Sequence, residues 1–144
     1  MSINSDVEGV LLKLGLEDYE IDNIFFRNKY LNISTDDEVK DIVKYLYTTC
    51  KMNVSDIRKL ILKNPFLLNE SFNRINNLEA IYKTLGIENE KYSKLLNRFD
   101  KALSINPKDL AECIIKWQQK GYTYKEIGDM ILKNPYLIIN LNYV

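Results

Sequence analysis

The sequence predicts an all-α fold, a solenoid of about four tandem helical repeats with a period of about 35 residues. Three observations predict it. The segment Leu60-Ile61-Leu62-Lys63-Asn64-Pro65-Phe66-Leu67-Leu68 returns 70 residues later as Met130-Ile131-Leu132-Lys133-Asn134-Pro135-Tyr136-Leu137-Ile138. Weaker copies stand at half that spacing, from Tyr92 to Leu103 and from Ile21 to Leu31. Gly15, Lys51, Gly86 and Gly121 then fall in one column, ahead of the second helix of each copy. Agreement of several columns at one period is the mark of a repeat architecture, and no alternating strand pattern interrupts it.

Each copy reads as two helices and a short tail. In the first copy, Gly15 ends the first helix in the left-handed conformation that glycine adopts freely. In the second, Thr35 with Glu38 is a capping box before Val39, Ile42, Val43 and Leu46. Lys51 occupies the glycine column there, at an expected cost on the order of 1 kcal/mol. Pro65 stops the second helix, and Phe66-Leu67-Leu68 reads as an apolar 3₁₀ turn that seals the repeat. In the third copy, Phe72, Ile75, Leu78, Ile81, Tyr82 and Leu85 mark an apolar helical face. In the fourth, Asn106-Pro107 is an N-cap and first-turn pair, Thr123 with Glu126 is a second capping box, and Pro135 repeats the stop. Leu11, Tyr47, Tyr82 and Trp117 form a column of large side chains, expected in the core rather than as a base-stacking platform. Asn28, Asn64 and Asn134, each just before the tail, are expected to bind the local backbone at the turn rather than read bases.

The chain has 144 residues, read as one helical-repeat domain over 1–144, long enough to bury a core without staples. It has no His, which excludes a Ser-His-Asp triad, a Cys-His pair and imidazole metal ligation. Cys50 and Cys113 have no metal-ligand spacing and are expected to be reduced, packed thiols. The acids Asp36, Asp37, Glu38 and Asp41, like Glu17, Asp18 and Glu20, lie at helix starts, where the dipole favours them. They lack the glycine and distal glutamate of a calcium loop, and there is no glycine-rich phosphate loop. No catalytic, metal or cofactor site is therefore expected. The N-terminus has no basic segment followed by an apolar one, and no apolar run approaches the ~18 residues of a membrane span. The chain is expected to be soluble and intracellular, cytoplasmic if its source is bacterial or viral, with no membrane partner and no small-molecule substrate.

A repeat of this length, ending in Leu-Lys-Asn-Pro-Phe-Leu-Leu or its variant, resembles the mitochondrial transcription termination factor (mTERF) family. The resemblance runs from about Val7 to Ile139, and its most specific stretches are residues 57–68 and 127–138. The proline position holds Lys29 in the first copy and Asp100 in the third. The resemblance implies a right-handed α-solenoid of helix pairs, each closed by a 3₁₀ turn. It also implies nucleic-acid binding along a concave side.

The net charge is zero, with 20 basic and 20 acidic residues, but residues 1–50 carry ten acids and five bases. A helical wheel puts Lys59 and Lys63 together, away from the apolar face of their helix. The equivalent positions are Asn23 and Arg27, Lys94 and Arg98, Asp129 and Lys133. The column Arg27, Lys63, Arg98 and Lys133 is basic in every copy. With helices ~8–10 Å apart, four such rungs would span roughly 25–30 Å, close to a duplex turn of about 34 Å. Arg27, Lys59, Lys63, Lys94, Arg98 and Lys133 are the expected nucleic-acid-binding residues, for DNA or RNA. A competing account gives each rung a local duty, since it lies in the last turn of its helix and offsets the helix dipole. The alternative function is a protein-binding adaptor or inhibitor on the same solenoid. Its acidic first quarter would face a basic partner, which could itself bind nucleic acid. Catalysis has no constellation to support it, and the chain is read as a non-enzyme.

Overall fold

The computed structural model describes residues 3–139. Among them are eight α-helices, three 3₁₀ turns and no strand. The chain divides into two compact units, Met1–Glu70 and Ser71–Val144. Each unit holds two copies of the repeat.

The first unit runs α1 (Ser5–Lys13), α2 (Asp18–Arg27), a 3₁₀ turn (Lys29–Ile33), α3 (Asp36–Thr48), α4 (Val54–Lys63) and a 3₁₀ turn (Pro65–Asn69). First helix packs on first helix, α1 on α3, and second on second, α2 on α4. The core between them is closed by Val7, Leu11, Ile21, Ile24, Leu31, Ile42, Leu46, Ile57 and Ile61, each 2% exposed or less. The second unit runs α5 (Phe72–Thr84), α6 (Glu90–Arg98), a turn over 100–104, α7 (Pro107–Gln119), α8 (Tyr124–Lys133) and a 3₁₀ turn (Pro135–Ile138). There α5 packs on α7, and α7 on α8, around Ile75, Leu78, Tyr82, Phe99, Leu110 and Ile127.

Local chemistry explains the element boundaries. Asn4, Thr35, Asn53, Ser71, Asn106 and Thr123 each accept a backbone N–H in the first turn of the helix that follows. Glu17 with Glu20 and Thr123 with Glu126 make reciprocal capping boxes. The four residues of the glycine column all have positive φ, 94° at Gly15, 55° at Lys51, 80° at Gly86 and 99° at Gly121. Lys51 is thus a side chain held where glycine belongs. Lys51→Gly is expected to raise stability by about 0.5–1 kcal/mol, after the extra freedom of glycine in the unfolded chain is deducted. The check is the urea midpoint of the variant against the parent.

The large-residue column needs a correction in the second copy. Leu11, Tyr82 and Trp117 are buried, whereas Tyr47 is 59% exposed. The cause is one extra residue between α3 and its terminator. After the other first helices, a backbone N–H returns to the column residue five positions back: Leu16 to Leu11, Ile87 to Tyr82 and Tyr122 to Trp117. After α3 the equivalent bond runs six positions back, from Met52 to Leu46. The insertion rotates the column by one position. Leu46 enters the core and Tyr47 turns out of it. Tyr82 keeps its hydroxyl satisfied inside by donating to the Ala102 carbonyl at 2.6 Å.

The tails also differ from expectation. The turn at Lys29 is 3₁₀ without any proline, and the tail that starts at Asp100 makes a turn without a 3₁₀ helix. In the other tails, the residues after the proline do not all seal the repeat. Leu67, Leu68 and Ile138 are buried, but Phe66 and Tyr136 face outward.

Candidate nucleic-acid interface

Arg27, Lys63, Arg98 and Lys133 are the last helical residues of α2, α4, α6 and α8, and all four are exposed. Lys59 and Lys94 lie one turn earlier on α4 and α6, also exposed. Their placement follows from the buried stripe: Ile57, Leu60, Ile61 and Asn64 point into the first unit, so Lys59 and Lys63 point away.

The two arginines have a second duty. Arg27 forks its guanidinium onto the end of α4, donating from Nη1 to the Leu62 carbonyl at 2.5 Å and from Nη2 to the Lys63 carbonyl at 3.0 Å. Arg98 does the same one unit later, to the Leu132 carbonyl at 2.6 Å and the Lys133 carbonyl at 3.4 Å. These carbonyls have no partner within their own helix, and a cation suits the negative end of the dipole. The dipole that each arginine meets most directly belongs to the next helix. The local duty expected of each rung on its own helix is thus, for the two arginines, performed on the neighbouring one. The clasp joins copy one to copy two and copy three to copy four. It also sets the end of Arg27 against the backbone of Lys63, and that of Arg98 against the backbone of Lys133. Each unit therefore gathers its two helix-end cations at one place.

Aromatic rings follow three of the four cations along the chain. Tyr30, Phe66 and Tyr136 follow Arg27, Lys63 and Lys133 by three positions, each second in its 3₁₀ turn. They are 65%, 48% and 55% exposed. Tyr136 meets the buried Phe99 edge-on, with ring centroids 5.7 Å apart. The third copy has Lys101 at that position, also exposed. An apolar tail that seals the repeat does not predict these exposed rings. Their spacing from the rungs was the available signal.

A further surface with three lysines gathers residues from α5, α6 and α8. Lys83, Lys91 and Lys125 line a groove of about 390 Å³ in the second unit, over Leu85 and Gly86, with Asp129 paired to Lys125 at 3.9 Å. In the first unit, the Arg58 side chain lies over the equivalent Gly15 and donates to the Leu14 carbonyl at 3.0 Å. Lys91 shares a face of α6 with Lys94 and Arg98, at helical spacings of three and seven.

The asparagines before the tails behave differently from one another. Asn28 is fully buried and reaches across to the next copy, donating from Nδ2 to the Pro65 carbonyl at 3.0 Å and to Asn69 Oδ1 at 2.5 Å. Asn69 passes the chain on to Ser34 Oγ at 2.6 Å, and Ser34 donates to the Tyr30 carbonyl at 3.0 Å. The expectation of a local turn contact is thereby corrected for Asn28. Asn64 is buried and Asn134 exposed.

The acidic helix starts hold no metal constellation. Among the described residues no group of three His, Cys, Asp or Glu side chains converges. Asp36 pairs with Lys40 at 3.1 Å, and that hydrogen bond pulls its carboxyl below the usual range. Hydrogen bonds from Thr123 do the same for Glu126. Cys50 and Cys113 are both buried, and burial pushes the Cys113 thiol up to about 11. Among the described residues no helix is long and apolar enough to cross a membrane.

No curated protein matches the chain. A family model, mTERF, matches residues 2–142.

Proposed function

Because the chain belongs to the mTERF family, we propose that it is a non-catalytic module that binds nucleic acid through the cations of its second helices. One observation carries this reading: all four second helices end on an exposed cation, drawn together in pairs by the arginine forks. Arg27, Lys63, Arg98 and Lys133 meet phosphates, with Lys59 and Lys94 extending the contact along α4 and α6. The exposed rings of Tyr30, Phe66 and Tyr136, three residues after the cations, add surfaces on which bases stack. Recognition is mainly electrostatic, since Lys63 and Lys133 project point charges and the forks of Arg27 and Arg98 are engaged by helix-end carbonyls rather than free to read bases.

The test is fluorescence anisotropy with labelled duplex DNA, single-stranded DNA and RNA over a potassium chloride series. With about four phosphates neutralised, log K on duplex falls against log salt with a slope of about −3.6. A shallower slope near zero, or no binding to any of the three probes at low salt, overturns the proposal.

A further inference from the structure

Each unit has a groove between its two first helices, closed below by the start of the following second helix. In the first unit it lies between α1 and α3, has a volume of about 360 Å³, and is floored by Val10, Val43 and Val54. In the second it lies between α5 and α7, has a volume of about 240 Å³, and is floored by Ile81, Ile114 and Tyr124, the residues 70 or 71 positions later. The groove is thus a product of repeat packing, and it recurs at the equivalent position in each unit.

The rims differ. Around the first groove stand Lys13, Lys40 and Lys44. The same positions in the second unit are Thr84, Ala111 and Ile115. The charge is therefore an addition to the first groove, not a requirement of the fold. Its setting makes the addition more pointed. Residues 1–50 contain only five basic side chains, and three of them are on this rim, in a stretch with ten acids. Lys40 shares its charge with Asp36, but Lys13 and Lys44 make no ion pair with any described residue. Tyr47, turned outward by the extra residue after α3, also lines this groove.

The geometry points to a protein-docking site: the first groove receives the apolar face of an acidic amphipathic helix from a partner, with carboxylates on the lysine rim. Charge complementarity selects this occupant. Aliphatic side chains make the floor, and Tyr47 is its single aromatic, so stacked bases are poorly served. The groove is open to solvent, unlike the enclosed pockets that bury most of a small ligand. The site uses α1, α3 and the start of α4, none of whose residues belongs to the cationic helix ends proposed for nucleic acid. The partner is thereby an acidic one, the reverse of the basic partner expected from the overall charge of this region.

The experiment uses the full chain and a fluorescein-labelled synthetic peptide of about 16 residues, with leucines on one helical face and glutamates flanking them. Polarisation is expected to report saturable binding. Lys13→Glu with Lys44→Glu weakens it at least tenfold and leaves the anisotropy response to duplex DNA unchanged. A peptide with glutamine for every glutamate binds at least tenfold more weakly. Thr84→Lys, Ala111→Lys and Ile115→Lys together transplant the rim and raise the peptide stoichiometry from one toward two. The proposal is overturned by absent peptide binding, by equal binding of the glutamine peptide, or by indifference to Lys13→Glu with Lys44→Glu. It is also overturned if those two changes abolish duplex binding, which would give the groove to nucleic acid. Sedimentation showing a dimer that the same two changes dissociate would give it to a second copy of this chain.

Discussion

Gly128→Ala is expected to destabilise the protein by about 2 kcal/mol, although it places a better helix former in the middle of α8. Gly128 is buried, and an ideal Cβ built on it would lie 2.1 Å from the Leu85 carbonyl oxygen. That oxygen is backbone, held at the end of α5 just before Gly86, so it cannot swing aside as a side-chain tip would. Relief requires α8 to move away from α5 by an ångström or more. Overpacking of this kind costs about 3 kcal/mol, while alanine returns about 1 kcal/mol of helix propensity. Gly9→Ala in α1 is the matched control. An added Cβ there meets nothing within 4 Å, so the propensity term stands alone and stability rises by about 0.5–1 kcal/mol. Urea midpoints followed by far-UV circular dichroism check both. A neutral Gly128→Ala would mean that α8 does not press on the end of α5.

The same site shows what a sequence can and cannot reveal about a repeat. The residue 70 positions before Gly128 is Arg58, which meets the equivalent end of α1 by donating a hydrogen bond to the Leu14 carbonyl. One copy closes the interface by removing a side chain, the other by using a long one. Nothing in either residue type announces this, because the cause is the distance between helices of neighbouring copies. Features set by the backbone of a single copy were legible. The glycine column, the caps at Thr35, Asn106 and Thr123, and the stops at Pro65 and Pro135 depend on residues a few positions apart. The slip of Tyr47 out of the core was half visible. The offset of 36 between Gly15 and Lys51, against 35 elsewhere, marks an extra residue. Counting back from Lys51 assigned that residue to the helix side of the column, whereas the bond from Met52 to Leu46 puts it in the connection.

The candidate interface divides along the same line. That Arg27, Lys63, Arg98 and Lys133 end their helices and face solvent follows from the 3.6-residue period. That Arg27 and Arg98 fork onto the next helix requires knowing which helix comes next and at what height. A clue was present, since the column alternates Arg, Lys, Arg, Lys, and only the guanidinium presents a planar fork of donors able to bind two carbonyls at once. The lysine rim of the first groove and the basic groove of Lys83, Lys91 and Lys125 were not legible, since each gathers residues from two or three helices.

The division of labour between arginine and lysine in that column makes charge separable from clasp. Lys59, Lys63, Lys94 and Lys133 use their side chains for no hydrogen bond or ion pair among the described residues, so reversing them to glutamate leaves the packing intact. The expected cost in stability is under about 0.5 kcal/mol for each surface change. The expected cost in binding is about a hundredfold at 0.1 M salt, because Lys63 and Lys133 make two of the four phosphate contacts, each lost contact forfeits about 0.9 of a logarithmic unit of counterion release, and the new carboxylates repel the backbone. Arg27→Lys with Arg98→Lys is the complementary change. Both charges remain, but an ammonium cannot hold two adjacent carbonyls in the geometry of the fork. Each unit is then expected to lose about 1–2 kcal/mol, with exposure keeping it at the low end for charged hydrogen bonds. The salt slope of duplex binding stays within about 0.5 of the parent, since the number of cations near phosphate is unchanged. Anisotropy titrations and urea curves on the two variants read both quantities. If the four lysine reversals leave duplex affinity intact, these lysines do not meet nucleic acid and the proposed interface fails. If the arginine-to-lysine pair loses binding in step with the lysine reversals while remaining folded, the forked geometry itself contacts the nucleic acid, and the clasp is not its principal work.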